Sequence, residues 1–179
     1  QKPVSAAIGP GDPIELPAES DEVEYEAEIG VVVGRRLSRA DEDEAVAAVA
    51  GFTCVNDVTA RDLQRTEDQW ARAKGFDTFC PVGPRLRGFR DPDAWRELEV
   101  RCRLNGEERQ VGRAADMAFG VPTLLAYISR AITLEPGDLV ATGTPSGVGP
   151  LRDGDEVEVE VSGVGVLRNP VREREAGSR

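Results

Sequence analysis

Val23-Glu24-Tyr25-Glu26-Ala27-Glu28-Ile29-Gly30-Val31-Val32-Val33 is the stretch whose reading decides the fold. Its odd positions are apolar, and glutamates hold the even positions 24, 26 and 28. A period of two predicts a strand, because successive strand side chains point to opposite faces. One face then goes to a core, and the other carries three carboxylates in a row. The plain reading of such a row is a solvated strand face. Like charges at neighbouring same-face positions repel, however, and a hard cation with oxygen ligands relieves that repulsion directly. Asp57 follows the apolar run Phe52-Thr53-Cys54-Val55, a second predicted strand whose end can meet the first. Glu26, Glu28 and Asp57 are therefore the candidate ligands of a divalent cation.

Outward from this strand the chain is mostly β. A helix is predicted near Asp41 to Val49, capped by Ser38 with Asp41 three residues on, and stopped by Gly51. The acidic cluster Asp41-Glu42-Asp43-Glu44 then complements the dipole in its first turn rather than holding a metal. Leu98, Val100, Cys102 and Leu104 alternate into Asn105-Gly106, a hairpin signal. Pro122 suits the first turn of a helix reaching about Ala131. Val157, Val159 and Val161 alternate with Glu156, Glu158 and Glu160. This second glutamate row has no following aspartate and reads as surface. Periodicity alone does not fix how these strands pair.

At 179 residues the chain suits one domain, taken as 1–171, with 172–179 a charged and frayed tail. A net charge of −11 argues against nucleic-acid or anionic-membrane partners, which call for basic patches. Cys54, Cys80 and Cys102 are odd in number and form no Cys-x-x-Cys pair, which points to a reduced, cytoplasmic setting. No run of 18 apolar residues suggests a membrane span. Met117, Trp70 and Trp95 read as packing residues. The chain has no histidine, so it cannot by itself build a Ser-His-Asp triad, a Cys-His pair or a histidine-bound zinc site.

The loop Gly143-Thr144-Pro145-Ser146-Gly147-Val148-Gly149 follows the strand-like Leu139-Val140-Ala141. Its glycines either let backbone amides approach a substrate oxygen or simply make a tight connection. It lacks the lysine of a Walker loop, the Gly-x-Ser-x-Gly elbow and the dinucleotide fingerprint. Arg61 and Asp62 read either as a pair that orients Asp57 or as a plain ion pair.

Together, Tyr25-Glu26-Ala27-Glu28-Ile29, Asn56-Asp57-Val58-Thr59-Ala60-Arg61-Asp62-Leu63-Gln64, Lys74-Gly75-Phe76-Asp77-Thr78-Phe79-Cys80-Pro81 and Thr142-Gly143-Thr144-Pro145-Ser146-Gly147-Val148-Gly149 resemble the fumarylacetoacetate hydrolase family. Asn105-Gly106-Glu107, Leu134-Glu135-Pro136-Gly137-Asp138 and Gly163-Val164-Gly165-Val166-Leu167 fit the same pattern, so the resemblance runs along nearly the whole chain. It implies a mixed β-rich (α+β) fold, a β roll or barrel with a few short helices, usually a homodimer. It also implies Mg2+ or Mn2+, with Ca2+ a third oxygen-preferring option, at Glu26, Glu28 and Asp57. Lys74, Gln64 and Thr144 become the implied catalytic and substrate-contact residues, although a surface lysine is the plain reading of Lys74 alone. The resemblance implies that hydrolytic and decarboxylating members carry a histidine and a glutamate in an N-terminal segment, which it places before Gln1; the opening Gln1-Lys2-Pro3-Val4 is similar to the family's Leu-Lys-Pro stretch.

The implied function is a metal-dependent enzyme acting on a 2-oxo or β-diketo acid by C–C hydrolysis, isomerisation or decarboxylation. The Lys74–Phe79 form is similar to that of hydroxyheptadienedioate isomerases and acylpyruvate hydrolases of aromatic catabolism. The expected partner is a small-molecule carboxylate substrate. The alternative is a catalytically idle homologue that binds metal and 2-oxo acid, or a dimeric scaffold.

Overall fold

The computed structural model describes residues 1–89 and 91–174, and it is a mixed, β-rich fold with few and short helices. One five-stranded sheet runs in the order Ala7–Ile8, Cys80–Arg87, Val49–Asn56, Ala27–Val33 and Leu139–Ala141. A second runs Ile14–Leu16, Gly165–Glu173, Glu156–Val161, Glu99–Leu104 and Glu107–Arg113. A small sheet joins Gly149–Pro150, Val23–Tyr25 and Thr59–Ala60. The predicted alternation sends Ile29, Val31 and Val33 into the core, where Cys54, Val157, Val159, Val161 and Leu167 are buried with them. Burying these branched side chains between two sheet faces is what holds the layers together, at roughly 1.5–3 kcal/mol for each full side chain.

The deciding stretch is not one strand. It divides at Glu26 into Val23–Tyr25, which belongs to the small sheet, and Ala27–Val33, which belongs to the first large sheet. Side chains take over from the ladder at the break. The Glu26 amide donates to Asn56 Oδ1 at 3.0 Å and the Ala27 amide to Gln110 Oε1 at 3.1 Å. The expected polar face is also buried, with Glu28 inside the sheet.

The first helix spans Glu42–Ala47, and its cap is Asp41 rather than Ser38. The Asp41 carboxylate accepts from the Glu44 amide at 2.8 Å while Glu44 accepts from the Asp41 amide at 3.1 Å. This reciprocal box satisfies two backbone donors at once. Ser38 instead accepts from the Thr133 hydroxyl. Gly51 does not stop the helix, which ends at Ala47; it lies inside Val49–Asn56, where a Cβ would sit 2.5 Å from the Arg87 carbonyl oxygen.

The hairpin turns as expected at Asn105-Gly106, both with positive φ (53° and 81°), which suits asparagine and glycine. The helix carrying Pro122 in its first turn spans Val121–Ser129. In the second glutamate row Glu156 is exposed while Glu158 and Glu160 are half-buried, and the row is held in ion pairs with Arg103 and Arg168. Arg172 and Glu173, assigned by sequence to the tail, pair with Glu15 and Leu16 and continue the last strand. The Arg174 amide donates to the Leu16 carbonyl at 3.1 Å, and 175–179 lie outside the described residues. No described helix is long and apolar enough to cross a membrane.

Candidate metal centre

Strand pairing assembles the acidic centre. Ala27 faces Asn56 and Glu28 faces Val55 across the antiparallel ladder, so the chain leaving Asn56 runs directly beside Glu26. The Asp57 amide donates to the Glu26 carbonyl at 2.8 Å and fixes that junction. Glu26, at the break, and Glu28, second in the strand Ala27–Val33, bring their carboxylates together. One carboxylate oxygen from each of Glu26, Glu28 and Asp57 lies within 4.8 Å of the others. Glu26 is only 7% exposed and Glu28 only 3%. Such burial is costly for carboxylates unless they are compensated.

Three cationic side chains surround the group. Lys74, from the helix Ala71–Gly75, places Nζ 2.5 Å from Asp57 Oδ2 and 3.1 Å from Glu26 Oε2, and donates to Thr59 Oγ1 at 3.0 Å. Burial pulls the Lys74 ammonium down, but the Asp57 and Glu26 carboxylates outweigh it and raise it above its ordinary value. Arg61, at the start of the helix Arg61–Thr66, donates to Glu24 Oε2, Glu26 Oε1 and Gln64 Oε1, each at 2.7 Å. It therefore orients Glu26, not Asp57. Asp62 does not pair with it but accepts from Ser20 and from the Asp21 and Leu63 amides.

Glu28 has a different environment. Its Oε2 accepts from the Gly143 amide at 2.7 Å, and among the described residues no lysine or arginine forms an ion pair with it. Burial first, and then the negative charge of Asp57, push its carboxyl up to about 8, against the pull of the Gly143 amide. Asp57 Oδ1 is buried without a well-aligned hydrogen bond. Lys2 Nζ stands 2.8 Å from it, yet donates to the carbonyls of Val58 (2.8 Å), Lys74 (2.5 Å) and Phe79 (2.7 Å). An ammonium has three donors, so Lys2 shares them among these carbonyls and Asp57 Oδ1, and its charge offsets that of the carboxylate. A carboxyl without a counter-charge, an oxygen with a free lone pair and a third carboxylate beside them form a set of hard donors suited to an oxygen-preferring divalent cation.

The match to known proteins follows this arrangement along the chain. The family model described as Fumarylacetoacetate (FAA) hydrolase C-terminal matches residues 1–172. The chain belongs to the fumarylacetoacetate hydrolase family. A structure of 5-carboxymethyl-2-hydroxymuconate delta-isomerase from Mycobacterium smegmatis is similar at a TM-score of 0.93 and 43% identity, covering 98% of this chain and 68% of that one. That of 2-hydroxyhepta-2,4-diene-1,7-dioate isomerase from Mycobacterium marinum is similar at 0.93 and 44%, with the same coverage. A mitochondrial oxaloacetate tautomerase of Bos taurus is 44% identical over 179 residues, 93% of this chain and 56% of that protein. The chain thus spans just over half the length of the bovine relative.

Within this family member, Lys74 and the three carboxylates come together as the sequence implies, while Gln64 and Thr144 stand at one remove. Gln64 reaches the centre through Arg61. Thr144 donates to the Ala27 carbonyl at 2.9 Å and accepts from Gln110 Nε2 at 2.8 Å. The glycine loop aims its Gly143 amide at Glu28. Sequence reasoning missed Lys2 and Gln110. Lys2 lies in the Lys2-Pro3 stretch, but its partners are 55 to 77 residues away and no local pattern announces them. Gln110 sits at a strand position with no local signal at all.

Proposed function

We propose that this chain is a divalent-cation-dependent enzyme that interconverts enol and keto forms of a small 2-oxo acid. One observation carries the reading: a buried triad of Glu26, Glu28 and Asp57 with the Lys74 ammonium set across Glu26 and Asp57. The three carboxylates would hold Mg2+ or Mn2+, with Ca2+ the third option. A cation there supplies Lewis-acid stabilisation to an oxygen that gains charge as an enolate forms. Lys74 Nζ holds a proton next to that oxygen and donates to it, a role lysine suits as a compact point charge. Arg61 fixes Glu26, and Gln64 fixes Arg61. Burial of Glu26 and Glu28 excludes water, which strengthens each of these interactions.

The named activities of the tautomerase and of the two isomerases support the same chemistry. The reading extends to a cytoplasmic homodimer without nucleic-acid or membrane partners, working in aromatic catabolism; sedimentation velocity tests the dimer.

The deciding experiment follows the ultraviolet absorbance of enol oxaloacetate, acylpyruvates and hydroxydienedioates with Mn2+ and then with EDTA. The expected result is Mn2+-dependent loss of the enol band, products of unchanged mass, and a fall of about 100-fold or more in Lys74→Met. Turnover that survives EDTA would sink the metal role, and products of cleaved mass would replace isomerisation by hydrolysis. Mn2+ binding without turnover of any substrate would leave a binding protein.

A further inference from the structure

We propose that Gln110 is a positioning residue that locks the metal-binding strand to the Thr142–Thr144 loop through a closed ring of hydrogen bonds. The inference rests on the functional reading above. Leu139–Ala141 pairs with Gly30–Val32 and ends there, so among the described residues the edge of the ligand strand at Ala27 to Ile29 has no neighbouring strand on that side. The loop supplies the missing partners. The Thr142 hydroxyl donates to the Ile29 carbonyl at 2.9 Å, the Gly143 amide to Glu28 Oε2 at 2.7 Å and the Thr144 hydroxyl to the Ala27 carbonyl at 2.9 Å.

Gln110 closes the end of this zipper. It comes from Glu107–Arg113 in the other large sheet and is 1% exposed. Its Oε1 accepts from the Ala27 amide at 3.1 Å, and its Nε2 donates to Thr144 Oγ1 at 2.8 Å and to the Pro145 carbonyl at 2.7 Å. Ala27 N–H to Gln110, Gln110 to Thr144, and Thr144 back to the Ala27 carbonyl form the ring. Both backbone polar groups of the residue between Glu26 and Glu28 are thereby fixed, and so is the loop whose amide holds Glu28. Gln110 touches neither carboxylate; it acts on them through Ala27 and the loop. A neutral amide does this without adding charge to the centre, which separates it from Lys2, Lys74 and Arg61.

A double-mutant cycle in Gln110→Met and Thr144→Val tests the ring, read by Mn2+ affinity from electron paramagnetic resonance and by kcat and KM separately. Each single variant should weaken Mn2+ binding about 10-fold or more. The double variant should be no worse than the weaker single, because both break one ring. Thr144→Ser, which keeps the hydroxyl, should restore the parent's affinity. A merely structural glutamine would lower the melting temperature and leave the Mn2+ affinity of the folded protein unchanged. That result, or effects that multiply in the double variant, would overturn the proposal. Should Gln110→Met not fold, Thr144→Val against Thr144→Ser decides it, and parental Mn2+ affinity in Thr144→Val overturns it. A parent protein that takes up no Mn2+ would overturn the functional reading, and the role of the ring with it.

Discussion

Glu28 couples the centre to pH. Its carboxyl is raised from 4.5 to about 8, so between those values the fold keeps a proton that the unfolded chain has released. The native state then binds more protons, and stability of EDTA-treated protein should fall as pH rises through this window and level off above it. A cation must expel that proton, so Mn2+ affinity should climb with pH up to about 8. Calorimetric Mn2+ titrations near pH 6.5, in buffers of different ionisation enthalpy, should report about one proton released per ion. Glu28→Gln should release none and bind more weakly; an equal release from that variant would place the proton elsewhere. At this scale the acidic residues were legible because the alternation of Val23–Val33 and the apolar run that ends before Asp57 are local signals, and the family resemblance joined them. Lys2 and Gln110 were not, since their roles arise only when segments 34 to 83 residues apart meet.

Elements were legible where one residue type decides them. The Asn105-Gly106 hairpin and the helix entered at Pro122 stand where local chemistry puts them. The helix Glu42–Ala47 shows how competing caps mislead: Ser38-x-x-Asp41 and Asp41-x-x-Glu44 have the same spacing, and the second has the carboxylate that reaches the Glu44 amide. Asp41→Ala should therefore cost about 1 kcal/mol in urea unfolding, while Ser38→Ala should stay within about 0.5 kcal/mol. The opposite order would restore Ser38 as the cap. The split of the glutamate strand at Glu26 was hidden because alternation continues unbroken through it. The Asn56 and Gln110 side chains, both distant in sequence, take the Glu26 and Ala27 amides there.

Across the whole molecule, composition and periodicity gave a β-rich chain but not its topology. The first large sheet joins segments from Ala7 to Ala141, and its edge pair Ala7–Ile8 with Cys80–Arg87 is parallel. No local pattern encodes such a pairing. The consequence of the topology is that the ligands, the Lys74 helix and the glycine loop converge on one buried point, so a cation bound there should stabilise the whole fold by mass action. Thermal unfolding of the parent and of Glu28→Gln, in Mn2+ and in EDTA, measures this directly. The parent should gain about 2.7 kcal/mol at a Mn2+ concentration 100 times its Kd, with the melting temperature rising as the logarithm of concentration, and Glu28→Gln should respond far less at the same concentration. A parent melting temperature unmoved by Mn2+, or the same rise in Glu28→Gln, would contradict a metal centre at Glu26, Glu28 and Asp57.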